Sequence, residues 1–172
     1  MALSRDKYIP SQEELTIPEV QISSIILKAA SLYMGKYCDN EYKEFALCRD
    51  ENKDPRPCIN EGKQVTRCSN NFLHEVKKHC LTDFTAYWNC LDHSFDQKFS
   101  YCRKYQEKLD SCFAEKMNLM RPEIGYYGKV RVHDTDRPKP DLSTPVPDLD
   151  VPPPVGDRKP KAKIYPQSTG IL

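Results

Sequence analysis

The side chains with the most regular spacing in this chain are its eight cysteines: Cys38, Cys48, Cys58, Cys68, Cys80, Cys90, Cys102 and Cys112. The steps between them are 10, 10, 10, 12, 10, 12 and 10 residues, so the segments 38–48, 58–68, 80–90 and 102–112 each read Cys-x9-Cys. On an α-helix ten residues turn about 1000°, which returns both thiols to within roughly 80° of one face, about 15 Å apart. Two such helices lying antiparallel can be joined by two disulfides, one near each end. The alternatives are free buried thiols and metal ligands. Zinc favours Cys-x2-4-Cys, which brings two sulfurs to one ion, and a ten-residue step separates them too far unless the chain bends sharply. The spacing therefore predicts disulfide chemistry.

Other chemistry is absent from the sequence pattern. There is no Gly-rich phosphate loop and no dinucleotide fingerprint. Redox Cys-x-x-Cys pairs and adjacent Cys-Cys pairs are missing, and the spacing does not suit an iron–sulfur cluster. His74 and His79 stand five apart beside Cys80, which is not a one-face ligand pair, and they read as surface residues. His93 falls in a turn and His133 in the C-terminal segment. The expectation is no catalytic residue, no bound cofactor and no metal.

The elements that must hold the thiols repeat. After Cys38 come Tyr42 at +4, Phe45 at +7 and Cys48 at +10; after Cys80 come Phe84, Tyr87 and Cys90 at the same offsets. These positions share one helical face. The second helix of each pair carries an aliphatic residue at +7, Val65 after Cys58 and Leu109 after Cys102. A repeat of about 42–44 residues follows, a duplicated hairpin. Spacing alone leaves open which neighbour the Cys58 helix joins, and turn chemistry selects one register. Residues 50–57 break the first pair, with Asp54 as N-cap and Pro55 at the first helical position. By contrast, 69–79 has neither Gly nor Pro and reads as continued helix. The second hairpin turns at 92–96, with Ser94 and Gln97 spaced as a capping box. The expected bonds are Cys38–Cys68, Cys48–Cys58, Cys80–Cys112 and Cys90–Cys102, one choice among 105 connectivities. Each outer bond closes a loop of about thirty residues, worth roughly 3–4 kcal/mol in the chain-entropy model. That is a large share of a typical total of about 5–15 kcal/mol.

Composition agrees that covalent staples supplement burial. Hydrophobic residues make up 38% and charged residues 30% of 172, which is lean for one large core. A net charge of +1 gives no reason to expect a nucleic-acid partner. No apolar run approaches the roughly 18 residues needed to span a bilayer. The first twenty residues have no apolar signal core, and Asp6, Glu13, Glu14 and Glu19 are wrong for an Arg-rich matrix presequence. Paired cysteines without a secretory signal point to the mitochondrial intermembrane space, where small proteins enter reduced and are trapped by oxidation.

Two flanks remain. Residues 22–34 predict an amphipathic helix with Ile22, Ile25, Ile26, Ala29, Ala30, Leu32 and Tyr33 on a broad apolar face and Gly35 as its stop. It packs on the hairpins or faces a partner. Beyond Arg121 lie ten of the fourteen prolines, including Pro152, Pro153 and Pro154, and a small basic cluster at Arg158, Lys159, Lys161 and Lys163 that reads as solvated. Such a segment builds no core and is extended or disordered alone: it is either a floppy tail or, within a large complex, a strap across neighbours with Tyr126, Tyr127 and Tyr165 as anchors.

Four Cys-x9-Cys segments in two hairpins resemble the twin CHCH (coiled-coil-helix-coiled-coil-helix) family. Within it, 19–24 (EVQISS), 27–30 (LKAA), Cys38-Asp39, 43–45 (KEF), 47–49 (LCR), 53–56 (KDPR), Tyr87-Trp88 before Cys90, 102–104 (CRK), Arg121-Pro122 and 135–138 (TDRP) resemble the accessory subunits of respiratory complex I. The likeness covers about 13–140. It implies an all-α fold: an N-terminal segment over 1–36, a first hairpin over 37–79, a second over 80–120 and an extended tail over 121–172. It further implies a non-catalytic subunit, peripheral on the intermembrane-space face of the inner membrane, whose partners are other complex I subunits. A disulfide-relay import oxidoreductase would be a transient partner, docking on Tyr42 and Phe45 or on Phe84 and Tyr87. A free intermembrane-space assembly or metal-delivery factor of the same fold is the alternative.

Overall fold

A computed structural model describes residues 8–52 and 54–138. The chain divides into a unit over 1–135 and a second over 136–172, of which only 136–138 are described. The expected anchor Tyr165 and the basic cluster lie outside the described residues. In the first unit the order is α1 (Gln12–Leu15), α2 (Ser24–Tyr37), α3 (Asp39–Glu51), α4 (Ile59–His79), α5 (Leu81–His93) and α6 (Arg103–Met117), with short 3-10 turns between several of them. No strand occurs among the described residues, and none of their helices is long and apolar enough to cross a membrane. Helix α3 pairs with the first half of α4, and α5 pairs with α6. This is the all-helical, doubly stapled architecture that the cysteine ladder predicts.

The first cysteine of each Cys-x9-Cys segment does not lie within an α-helix. Cys38, Cys58, Cys80 and Cys102 each occupy the N-cap of the helix that follows, with φ between -131° and -100° and ψ between 17° and 27°. That is the sparsely allowed bridge region, where a chain changes direction without a loop. At Cys38 and Cys80 this single residue is the whole connection between helices. The chain there kinks at the residue whose side chain is also covalently fixed.

The apolar core is unevenly shared. Ile25, Ala29, Ala30 and Tyr33 of α2 are buried against Phe72 and Val76 of α4, Phe84, Tyr87 and Leu91 of α5, and Leu109 and Phe113 of α6. Helix α2 is therefore a core helix. Tyr33 lies at the centre, wholly buried, edge-on to Phe113 at 4.8 Å between centroids. Its hydroxyl donates to Asp110 Oδ1 at 2.7 Å. Phe72 completes the aromatic cluster at 6.1 Å from Phe113. Helix α6 ends on Asn118 in the left-handed region, and the Leu119 N–H returns to the Phe113 carbonyl at 3.0 Å. The Asn118 N–H shares the same acceptor, so the left-handed residue closes the helix on Phe113, with Leu119 buried behind it.

Three local expectations are corrected. Gly35 does not stop α2, which runs two residues further to Tyr37. The space its missing side chain leaves is taken by Tyr127: a Cβ at Gly35 would sit 2.8 Å from the Tyr127 hydroxyl oxygen. Ser94 and Gln97 form no capping box. The Ser94 hydroxyl points backward and donates to the Leu91 carbonyl at 2.9 Å, closing α5 instead of opening the next turn. Finally, helical structure after the first turn begins at Arg56, with Pro55 at the cap. Asp54 still acts there, its Oδ1 accepting the Arg56 N–H at 3.1 Å.

Candidate functional site

The residues singled out for chemistry are consumed in bonds. S–S distances are 2.04 Å for Cys38–Cys68, 1.98 Å for Cys48–Cys58, 2.01 Å for Cys80–Cys112 and 2.03 Å for Cys90–Cys102, and no cysteine is free. Each hairpin thus carries one bond near its open end and one near its turn. Cys38, Cys68 and Glu41 approach one another closely enough to resemble a ligand set. With both sulfurs in a disulfide there is no thiolate to hold an ion. The site is a frame, and what it presents is shape.

The two hairpins are held together differently. In the second, Phe84, Tyr87, Leu91, Leu109 and Phe113 are all buried between or beside the helices. Burial pushes the Tyr87 hydroxyl up to about 12 and drives that of Tyr33 well above the usual phenol range, so both remain protonated. In the first, Tyr42, Phe45, Leu47 and Val65 are only half-buried, and the fully buried groups at its paired faces are cysteines and Ser69. Phe45 lies over Gly62, and the Tyr42 hydroxyl stands 3.5 Å from that of Ser69. The aromatics at equivalent repeat positions therefore have different surroundings: Phe84 and Tyr87 are core, Tyr42 and Phe45 are half-exposed.

Chain flanks cover the first hairpin from two sides. On α4, the N-terminal arm is ordered by a capping box in which Glu14 N–H donates to Ser11 Oγ at 3.2 Å and Ser11 N–H to Glu14 Oε2 at 2.8 Å. The Tyr8 hydroxyl and the Ser11 N–H hold the Glu14 carboxyl below the usual range. Asn70 donates to the Pro18 carbonyl at 2.7 Å, and Arg56 reaches the Tyr8 carbonyl. On the other side, the segment after α6 runs back over α2 and α3. Lys36 donates to the Met120 carbonyl at 3.0 Å, Arg121 pairs with Asp110 at 3.4 Å, and Tyr127 donates to the Leu32 carbonyl at 2.7 Å.

That strap ends in an ion-pair clamp. Arg131 makes two hydrogen bonds to Asp39, at 3.1 and 3.2 Å, while its guanidinium lies over the Tyr126 ring at 4.0 Å. Burial alone would push the Asp39 carboxyl up; Lys43 at 2.5 Å and Arg131 outweigh it and leave it below the usual range. His133 Nε2 lies 2.8 Å from Glu44 Oε1. Tyr126 and Tyr127, expected to anchor on neighbouring subunits, anchor on their own chain. The sequence carries no local sign of these contacts, which join residues 89–95 apart. The Ser11-x-x-Glu14 box, by contrast, has a visible signature.

The histidines converge on nothing. His74 is exposed, His79 pairs with Glu75 one turn away at 3.3 Å, and His93 lies within 2.9 Å of the Asn89 carbonyl.

Comparison with known proteins gives the following. No protein-family model matches the chain. It is 32% identical over 107 residues to the NADH-ubiquinone oxidoreductase 20.8 kDa subunit of Neurospora crassa, covering 61% of this chain and 58% of that protein. It is 30% identical over 88 residues to NADH dehydrogenase (ubiquinone) 1 alpha subcomplex subunit 8-A of Arabidopsis thaliana, covering 51% of this chain and 81% of the relative. Subunit 8-B of the same plant is 28% identical over 88 residues, with 82% of its length covered. The matched stretch thus spans little more than half of the fungal relative and most of the plant ones.

Proposed function

We infer, because the chain belongs to the family of NADH dehydrogenase (ubiquinone) 1 alpha subcomplex subunit 8, that it is an accessory subunit of respiratory complex I at the mitochondrial inner membrane. The observation that carries this reading, beside the relatives' names, is a frame whose eight sulfurs are all bonded and whose flanks are lashed to it. Such a body offers rigid surfaces, and its work is to hold neighbouring subunits in place rather than to transform a substrate. A free metal-delivery factor would need thiolates to hand on, which this chain does not keep.

The finer parts of the reading follow from redox chemistry. Four disulfides require an oxidising compartment, so the subunit sits peripherally on the intermembrane-space side. The proposed bonds form after entry, and a relay oxidoreductase docks beside a cysteine through a transient mixed disulfide. Tyr42 and Phe45 beside Cys38 and Cys48, or Phe84 and Tyr87 beside Cys80 and Cys90, supply the apolar docking face in the still-reduced chain. In this scheme the two hairpins, 37–79 and 80–120, are the framework, and the segments 1–36 and 121–172 are its flanking straps.

Native electrophoresis tests the central claim: the chain co-migrates with the assembled NADH-oxidising complex, and recovery only as a small free species would overturn it. Protease treatment of mitochondria with ruptured outer membranes tests the side, since a chain on the matrix face would survive. Mass spectrometry of non-reduced peptides tests the pairing, which a Cys58–Cys90 peptide would contradict.

A further inference from the structure

We propose that the groove between α2, α4 and α5 is the docking site for an amphipathic helix of a partner subunit, apolar on one face and acidic along one flank. The proposal rests on the accessory-subunit reading and adds to it a place and a partner chemistry. The groove encloses about 490 Å³, and its apolar wall is made by Ile22, Ile26, Leu73, Leu81, Phe84 and Trp88. These side chains come from three separate elements, so the groove is a product of the tertiary fold. Leu81 is 51% exposed at its rim, and Trp88 is only partly covered by the core beneath. A rigid aromatic and several aliphatics converging on one concave surface are what an apolar helix face requires.

Charge selects the occupant. Asn60, Lys63, Arg67, Asn70, His74 and Lys77 follow one another at alternating steps of three and four, so they share one face of α4. That face carries no acidic residue. His74 and Lys77 form the polar lip of the groove, and the exposed Arg67 extends the row to the point where the chain's own arm, with Glu14 beside Lys63, takes over. From Arg67 to Lys77 the row is about 15 Å long at 1.5 Å per residue. A single phospholipid headgroup is a compact anion and would meet one end of such a row. Carboxylates spaced along a helix flank would meet all of it, while the adjacent apolar face fills the groove. The linear arrangement therefore favours a helix over a lipid.

The test uses the full-length chain expressed in cells lacking the endogenous subunit. A photo-crosslinking amino acid replaces Leu81, and the assembled complex is isolated, irradiated and mapped by mass spectrometry. The expected product joins Leu81's position to a subunit segment with apolar residues at helical spacing and Asp or Glu on one flank. Charge reversal by Lys77→Glu with Arg67→Glu is expected to lower incorporation at least about tenfold, because like charges then face each other. Lys77→Arg with Arg67→Lys should incorporate normally, and non-reduced peptide maps verify that each variant has folded. A crosslink to lipid alone overturns the proposal, as does no subunit crosslink in a complex that contains the chain. So does normal incorporation of the reversed variant. If instead the unaltered chain never co-migrates with the complex, the accessory-subunit reading falls and takes this proposal with it.

Discussion

The two inner disulfides allow the contribution of packing to be separated from that of cross-linking. Cys48–Cys58 and Cys90–Cys102 close loops of 10 and 12 residues, for which chain entropy gives nearly the same stabilisation, about 3 kcal/mol each. Any difference between removing one and removing the other must come from what else holds the hairpin. The second hairpin contributes Phe84, Tyr87, Leu91, Leu109 and Phe113 to the common core. At about 1.5–3 kcal/mol for each fully buried side chain, these are worth on the order of 10 kcal/mol before entropy is subtracted. The far end of the first hairpin has only half-buried Phe45, Leu47 and Val65. Cys48→Ala with Cys58→Ala should therefore release the C-terminal half of α3 without unfolding the core. By hydrogen exchange, amides of residues 47–51 should lose about a hundredfold of protection, the equivalent of about 3 kcal/mol. The main thermal transition, followed by near-ultraviolet circular dichroism of the aromatic core, should hardly move. Cys90→Ala with Cys102→Ala should lower that transition by about 10 °C and leave α3 no more exposed than before. Equal falls in Tm for the two pairs would refute the reasoning, because they would show that both hairpins melt as one unit.

Three further outcomes are expected. Gly35→Ala should gain about 0.5–1 kcal/mol from helix propensity in a chain that also carries Tyr127→Ala. In the natural chain that gain should vanish or reverse, since the new methyl displaces the Tyr127 hydroxyl from the Leu32 carbonyl; chemical denaturation of the four-member mutant cycle reads the coupling. Tyr33→Phe should cost about 1.5–3 kcal/mol in the same assay, because the hydroxyl it removes is buried and donates to the Asp110 carboxylate. The strap should loosen in acid: Asp39 has its carboxyl held below 3.8, so its contribution is present above that pH and is lost as pH falls through the lower folded value. Limited proteolysis near residue 130 should be slow at neutral pH and fast in strong acid, and Asp39→Asn should be cut fast at both.

Much of this molecule is legible along the chain because its strongest signal is periodic. A ten-residue step returns nearly to the same helical face, so the cysteine ladder announces helices and duplicated hairpins without any knowledge of packing. The flat hydrophobic content likewise announces dependence on covalent closure. Sequence likeness supplies the family. Other features resist such reading, for identifiable reasons. Gly35 carries the usual sign of a helix end, yet the helix continues because Tyr127, 92 positions away, occupies the space a side chain would need. Ser94 and Gln97 have the spacing of a capping box, but the hydroxyl turns back to the Leu91 carbonyl at 2.9 Å, which also accepts the Ser94 N–H at the end of α5.

The repeat itself also misleads in one respect, because equivalent positions look alike in sequence and differ in space. Phe84 and Tyr87 are buried since α2 and α6 lie over them, and Tyr42 and Phe45 stay half-exposed since, among the described residues, α3 is paired with α4 and crossed otherwise by the strap. By itself, then, the sequence determines the helices and the faces their cysteines share, both of which depend on residues close in the chain. Only the tertiary structure decides which hairpin holds the core, where the straps lie and that a groove opens between α2, α4 and α5. Those depend on contacts between distant segments, and no local pattern encodes how far apart such segments will finally rest.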